Sequence, residues 1–297
     1  MPDTGERGQD GDTGMWKLLL ILFKASRPPL WPALPLVFCM GLAYGEHGLL
    51  HPDFRFTFLM FLQMATLSFP LCLFTFGLND IHDHASDRIN PRKTGVEGTP
   101  LDVSLHKLVR NAAFAAGGLF FCVSLATLDP ANIFYAVSIL ALSFAYSTPP
   151  WRLKTRPPLD VVAAGIIGFL APFALGFSFV DNAWALSLQA YYFCLCIMGF
   201  HAFSTIMDYE TDRAVGDGTF AAAYGKRAAA LFAAAIFLPG PFMVREVYVK
   251  LFLGACAALA LAVATVPSEK LARYSFRVMF AGAVLAVAAW TGSVMLF

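Results

Sequence analysis

Nine stretches of this 297-residue chain, approximately 30–48, 55–79, 106–128, 131–146, 160–180, 185–207, 227–244, 247–266 and 274–295, are apolar. Most run close to the ~20 residues that a helix needs to cross the hydrocarbon of a bilayer. In that solvent every backbone N–H and C=O must find its partner within the protein, which leaves helices or closed barrels, and runs of this length select helices. Composition agrees: 58% of residues are hydrophobic and only 14% charged, against roughly 25% charged in soluble domains. The expectation is an all-α, multi-pass membrane protein, with about nine transmembrane helices around a central cavity and the lipid bilayer as its environment.

The basic residues orient it. Lys17, Lys24 and Arg27 precede the first span; Arg88, Arg92 and Lys93 follow the second; Arg152, Lys154 and Arg156 follow the fourth. Arg213, Lys226 and Arg227 follow the sixth, and Lys270, Arg273 and Arg277 the eighth, while Arg55, Arg245 and Lys250 fall on the other side. Cytoplasmic loops carry the excess of Lys and Arg, so the N-terminus is expected in the cytoplasm and the C-terminus outside. Residues 1–16, rich in Gly and Asp at their start, read as a disordered cytoplasmic tail ahead of one domain over 17–297. A net charge of +1 argues against an extended nucleic-acid surface. The six cysteines all lie inside apolar spans without a Cys-x-x-Cys pair and read as small core residues.

Against this background two acidic clusters stand out. Asn79, Asp80, Asp83 and Asp87 end the second span, and Asp208 and Asp212 end the sixth. Carboxylates beside hydrocarbon are costly unless a cation compensates them. Asp80, Asp83 and Asp87 are spaced i, i+3, i+7 and Asp208 and Asp212 i, i+4, so each set shares a helix face. Spans 1–4 and 5–8 read as a coarse duplication of four-helix units, since in each the second span ends in an acidic cluster and a basic loop. That arrangement makes the clusters face each other at the cytoplasmic mouth. Two facing oxygen-donor sets suit Mg²⁺, which shares its coordination with water and substrate phosphates; the implied substrate is a diphosphate.

Arg88, Arg92, Lys93, Arg152, Lys154 and Lys226 are placed to clamp a leaving diphosphate, although the positive-inside rule alone also accounts for loop cations. Pro149-Pro150 and Pro157-Pro158 keep the 148–158 loop non-helical, and Asn90-Pro91 breaks the helix after the first cluster. The chain carries 29 Phe, and aromatic faces attract cations such as an ionised allylic group; the competing role for most of these rings is contact with lipid. His82 and His84, at i, i+2, point to different sides of a helix and do not make a joint metal site. His201 reads as a packing residue on the same face as Asp208.

The string Asn79-Asp80-x-x-Asp83-x-x-x-Asp87, followed by Arg88 and Asn90, resembles the first signature of the UbiA superfamily of intramembrane prenyltransferases. Asp208-Tyr209-Glu210-Thr211-Asp212-Arg213, followed by Gly216-Asp217 and Thr219, resembles the second. Asn90 to Lys93 with Glu97-Gly98, and Tyr146-Ser147 through Asp160, are most similar to the lycopene-elongase branch. The resemblance implies Mg²⁺ held by Asn79, Asp80, Asp83, Asp87, Asp208 and Asp212, which are thereby the catalytic residues. It also adds Tyr146 to the diphosphate-binding set. Two departures stand out: Pro150 occupies the position where quinone-pathway members carry Lys, and Gly218 the position where many relatives carry Arg.

The reaction implied is ionisation of a polyprenyl diphosphate and transfer of the prenyl group to a lipophilic acceptor in the membrane. Internal quenching of the cation, as in the superfamily's terpene cyclases, uses the same ionisation apparatus and stays open, because the motifs do not separate the two. A cation-coupled transporter is the rival from another class, but it predicts carboxylates near the midplane of broken helices. A CDP-alcohol phosphotransferase lacks its compact acidic run here.

Overall fold

The computed structural model describes residues 10–44, 54–89 and 101–296, and among these every regular element is helical. In chain order the helices are α1 (Asp10–Ala25), α2 (Ala33–Tyr44), α3 (Phe54–Leu67), α4 (Phe69–His82), α5 (His84–Ile89), α6 (His106–Thr127), α7 (Pro130–Ser147) and α8 (Leu159–Gly165). There follow α9 (Ala171–Phe177), α10 (Leu188–Ser204), α11 (Tyr209–Val215), α12 (Phe220–Tyr224), α13 (Lys226–Phe237), α14 (Gly240–Met243), α15 (Val247–Thr265) and α16 (Glu269–Leu296). The chain is a multi-pass integral membrane protein.

Seven helical spans among the described residues are long and apolar enough to cross a bilayer, and Pro28–Tyr44 is a shorter eighth. Nine such helices were expected, and the shortfall lies at 227–244. There α13 stops at Phe237, and Pro239 and Pro241 flank the start of the short α14; proline lacks the N–H that would continue the helix. The N-terminal expectation also changes, since α1 begins at Asp10, inside the segment read as a tail over 1–16. Residues 1–9 lie outside the described residues, as do Asn90, Arg92, Lys93, Glu97 and Gly98.

Local sequence explains the boundaries that matter. Leu128 ends α6 in the left-handed region, the Asp129 carboxylate caps α7 by accepting from the Asn132 N–H at 2.6 Å, and Pro130 opens the first turn. This compact connection makes α6 and α7 adjacent. The Leu159–Phe177 span is α8 and α9 joined by a π-helical segment, Ile166–Leu170. Leu188–Val215 is α10 and α11 joined by a 3₁₀ turn over Thr205–Asp208.

Two apolar cores hold the bundle. One gathers α2, α3, α4, α6, α7 and α9 around Phe38, Leu71, Phe120, Ile139 and Leu175. The other gathers α10, α13, α15 and α16 around Phe203, Phe237, Leu253 and Cys256. Helices α2 and α9 cross so closely that a Cβ on Gly176 would lie 2.0 Å from the Phe38 carbonyl oxygen, and one on Gly41 the same distance from that of Phe173. Small residues let backbones approach where lipid supplies no hydrophobic drive between helices. Outward, Phe58, Phe61, Leu119, Leu251 and Leu285 stay exposed, as hydrocarbon-facing side chains do.

Candidate active site

The first acidic cluster sits where α4 gives way to α5. The helix is interrupted at Asp83, yet the Asp83 N–H still donates to Asn79 O at 2.9 Å and the Asp87 N–H to Asp83 O at 2.8 Å. The i, i+4 spacing therefore survives the break. Asp80, Asp83 and Asp87 are 3%, 5% and 4% exposed, so all three carboxylates turn into the protein. Buried charge at this density requires cations.

The cations come from two places. The Arg27 Nη2 lies 2.8 Å from Asp80 Oδ1, with its guanidinium 4.5 Å from the Phe76 ring centre. Arg27 has φ of 51°, a left-handed conformation that costs energy for a non-glycine residue. From the 148–158 loop, Lys154 is hydrogen-bonded to Asp83 Oδ1 and lies 3.5 Å from Asp217 Oδ2. Arg152, also left-handed at φ 38°, reaches Asp83 at 3.5 Å and Asp217 at 3.1 Å. Asp217 follows α11, so Arg152 and Lys154 join the α4–α5 end to the second acidic segment; Asp208 and Asp217 also act electrostatically on Asp212, as does Lys154.

Around these charges the second segment is stitched in place. Thr219 Oγ1 donates to Asp212 Oδ2 at 2.8 Å. The Phe220 N–H donates to buried Asp160 at 2.9 Å, and the Ala221 N–H to Thr205 Oγ1 at 3.0 Å. Asp208 closes the 3₁₀ turn and leads into α11, so Asp208 and Asp212 are not on one continuous α-helix. Helix α11 packs on α5, which carries Asp87. On the first side, Ser147 Oγ donates to Asn79 Oδ1 at 3.2 Å. The Tyr146 hydroxyl and His201 Nε2 are 3.0 Å apart, and the charges of Asp160, Asp83 and Asp212 all act on that phenol.

Of the residues picked from the sequence, Asn79, Asp80, Asp83, Asp212, Tyr146, Arg152 and Lys154 thus belong to one polar constellation. Lys226 does not share its partners. It pairs with Glu210 at 2.9 Å and Glu269 at 3.2 Å and lies 4.4 Å from the Tyr209 ring centre, fastening α13 to α11 and α16. Arg88 is exposed beside an open depression lined by His84, Leu101, Asp102 and Val103. Sequence reasoning passed over Arg27, Asp217, Thr219 and Asp160 as site residues. Gly216-Asp217 was a signal for one of them; for Arg27 nothing local distinguishes it from any other loop cation.

The donor set is hard oxygen throughout, Asp carboxylates with the Asn79 amide, which is the chemistry Mg²⁺ selects. Among the described residues no three His, Cys, Asp or Glu side chains form a group that could hold a metal ion by themselves. By donor chemistry these oxygens suit magnesium, and they would fill only part of its shell.

The chain is thus a polytopic helical bundle in which one basic loop pairs with carboxylates of both acidic segments. The model of the UbiA prenyltransferase family matches residues 33–281, and the chain belongs to that family. It is 31% identical to a lycopene elongase/hydratase of Haloferax volcanii over 246 residues, covering 80% of this chain and 76% of that protein. Against a lycopene elongase/hydratase of Haloarcula japonica it is 31% identical over 209 residues, 70% of this chain and 68% of the relative. The fold matches that of a UbiA homologue from Archaeoglobus fulgidus bound to DMAPP and Mg²⁺, with a TM-score of 0.64, 17% identity, and 93% of this chain and 99% of that one covered. Prenyl transfer is the generic activity that this membership supports.

Proposed function

We propose that the protein removes diphosphate from a polyprenyl diphosphate in a Mg²⁺-dependent step and transfers the prenyl group to a lipophilic polyene held in the membrane. The observation that carries this reading is the placement of Arg152 and Lys154 between Asp83 and Asp217, which brings both acidic segments to one basic loop. Asn79, Asp80, Asp83 and Asp87 would hold one magnesium ion, and Asp208 and Asp212 another. When bound, magnesium neutralises the charge that develops on the departing diphosphate. Arg152, Lys154 and Arg27 then exchange carboxylate for phosphate oxygens, stabilising that charge from fixed positions. The half-buried Tyr146 and His201 lie on the membrane side of the acidic residues, where a cavity sealed from water would receive the prenyl chain. The bound DMAPP and Mg²⁺ of the Archaeoglobus protein and the lycopene chemistry named for the haloarchaeal relatives support the substrate classes.

The same reading includes nine passes, the seventh broken. Arg227 Nε donates to Ala264 O at 3.0 Å and Lys226 pairs with Glu269, so the start of α13 lies beside the end of α15. Residues 226–246 must then traverse the thickness that α15 traverses back. An odd number of passes, with the basic loops inside, gives a cytoplasmic N-terminus and an external C-terminus.

The test is incubation of purified enzyme in detergent with geranylgeranyl diphosphate and Mg²⁺, with and without lycopene, following diphosphate and lipid products. Asp80→Ala and Asp208→Ala should abolish diphosphate release while eluting as folded protein; normal turnover in both refutes the assignment. A cyclic hydrocarbon formed without acceptor would replace transfer by cyclisation.

A further inference from the structure

Prenyl transfer to a polyene leaves a cation that ends by losing a proton or by capturing water, and the acidic segments do not explain which. Once the prenyl C1 has bonded to an acceptor double bond, the positive charge sits on the acceptor, away from the diphosphate. A base is required on the membrane side of the metal-binding carboxylates. Among the described histidines, His82 ends α4, while His84 and His106 meet edge to face with ring centres 5.6 Å apart at the loop side. His201 alone among them lies within the bundle, on α10, seven residues before Asp208 and therefore about 10 Å deeper along the span. Its Nε2 is 3.0 Å from the Tyr146 hydroxyl, the rings meet edge to face at 6.0 Å, and both side chains are half-buried.

Resting on the prenyl-transfer reading, we propose that Tyr146 and His201 form the proton acceptor that ends the reaction. A C–H bond next to the acceptor cation breaks and its electron pair becomes the new double bond. The proton passes to the Tyr146 oxygen while the hydroxyl's own proton moves to His201 Nε2. The resulting imidazolium stays hydrogen-bonded to the Tyr146 oxygen, 3.0 Å away. Tyr146 is the group that meets the substrate; His201 acts through it. This assigns Tyr146 a role different from diphosphate binding, and it gives the enzyme the base that the sequence did not reveal.

The experiment measures diphosphate release and the ratio of alkene to hydroxylated product from geranylgeranyl diphosphate, Mg²⁺ and lycopene for wild type, His201→Gln, His201→Phe and Tyr146→Phe. Gln keeps a hydrogen-bond acceptor for the phenol but is not basic, so a packing role is rescued by it and a proton-accepting role is not. The expected result is a fall in the alkene-to-alcohol ratio of at least about 10²-fold in all three variants, the lower end of the 10²–10⁴ range of general-base contributions. A wild-type ratio in His201→Gln, or a wild-type product already wholly hydroxylated, overturns the proposal. If the Phe variants fail to fold, His201→Gln still decides. Absence of diphosphate release from wild type would instead overturn the transferase reading itself, so the two failures are distinguishable.

Discussion

Replacing Lys154 by Met tests the charge arrangement most directly. Its ammonium is hydrogen-bonded to Asp83 and lies 3.5 Å from Asp217, with side chains 11% and 7% exposed for Lys154 and Asp83. Removing one partner of a buried pair costs about 3–5 kcal/mol because the other charge stays behind without compensation. Here Arg152 remains 3.5 Å from Asp83 and 3.1 Å from Asp217, so the cost should fall to about 2–3 kcal/mol, below that range. At about 2–4 °C per kcal/mol for a chain of this order, the unfolding midpoint in detergent should drop by roughly 4–12 °C. Adding Asp83→Asn removes the stranded charge, so the double variant should recover about 1 kcal/mol or more relative to the sum of the single changes. The same Lys154→Met protein should release diphosphate about 10²–10³-fold more slowly, the scale of losing one donor to developing negative charge. Strict additivity of the two stability changes would refute the reasoning, since it would mean that the two side chains do not interact energetically.

Two other outcomes follow from the fold. Gly176→Val should push α2 and α9 apart, because even the first carbon would meet the Phe38 carbonyl at 2.0 Å; a loss of about 3 kcal/mol or more, at the upper end of overpacking costs, should appear as poor recovery of monodisperse protein, whereas wild-type recovery would contradict the crossing. For Lys226, burial pulls the ammonium pKa down, but its hydrogen bonds to Glu210 and Glu269 outweigh that and hold it above the ordinary 10.5. The stabilisation is therefore fully present below pH 10.5 and lost as pH rises past the raised value, so Lys226→Met should lower the unfolding midpoint equally at pH 6 and pH 8 and progressively less above about pH 10.5; a penalty that disappears between pH 6 and 8 would contradict the clamp.

The helical class, the membrane setting and the acidic strings were legible in the sequence because each is a local property. Length of apolar run selects a spanning helix, and Asp spacing survives even where α4 breaks at Asp83, since the i, i+4 backbone bonds persist through it. The 227–244 stretch shows the limit of that reasoning: its hydropathy is continuous, but the Pro239 and Pro241 punctuation ends α13 at Phe237. Reading hydropathy alone counted it as an ordinary span.

Which cation meets which carboxylate could be decided only by tertiary structure. Lys154 and Lys226 are both loop lysines near an acidic motif, and only packing sends one to Asp83 and Asp217 and the other to Glu210 and Glu269. Arg27 lies 53 residues from Asp80 in the chain and His201 lies 55 from Tyr146. Sequence spacing carries information along one helix, over a few turns; it carries none between helices, whose neighbours are chosen by close crossings such as that of Gly41 and Gly176. The sequence by itself determined that carboxylates and cations would gather at the ends of apolar helices. The packing of the bundle decided that a tyrosine and a histidine would stand together behind them.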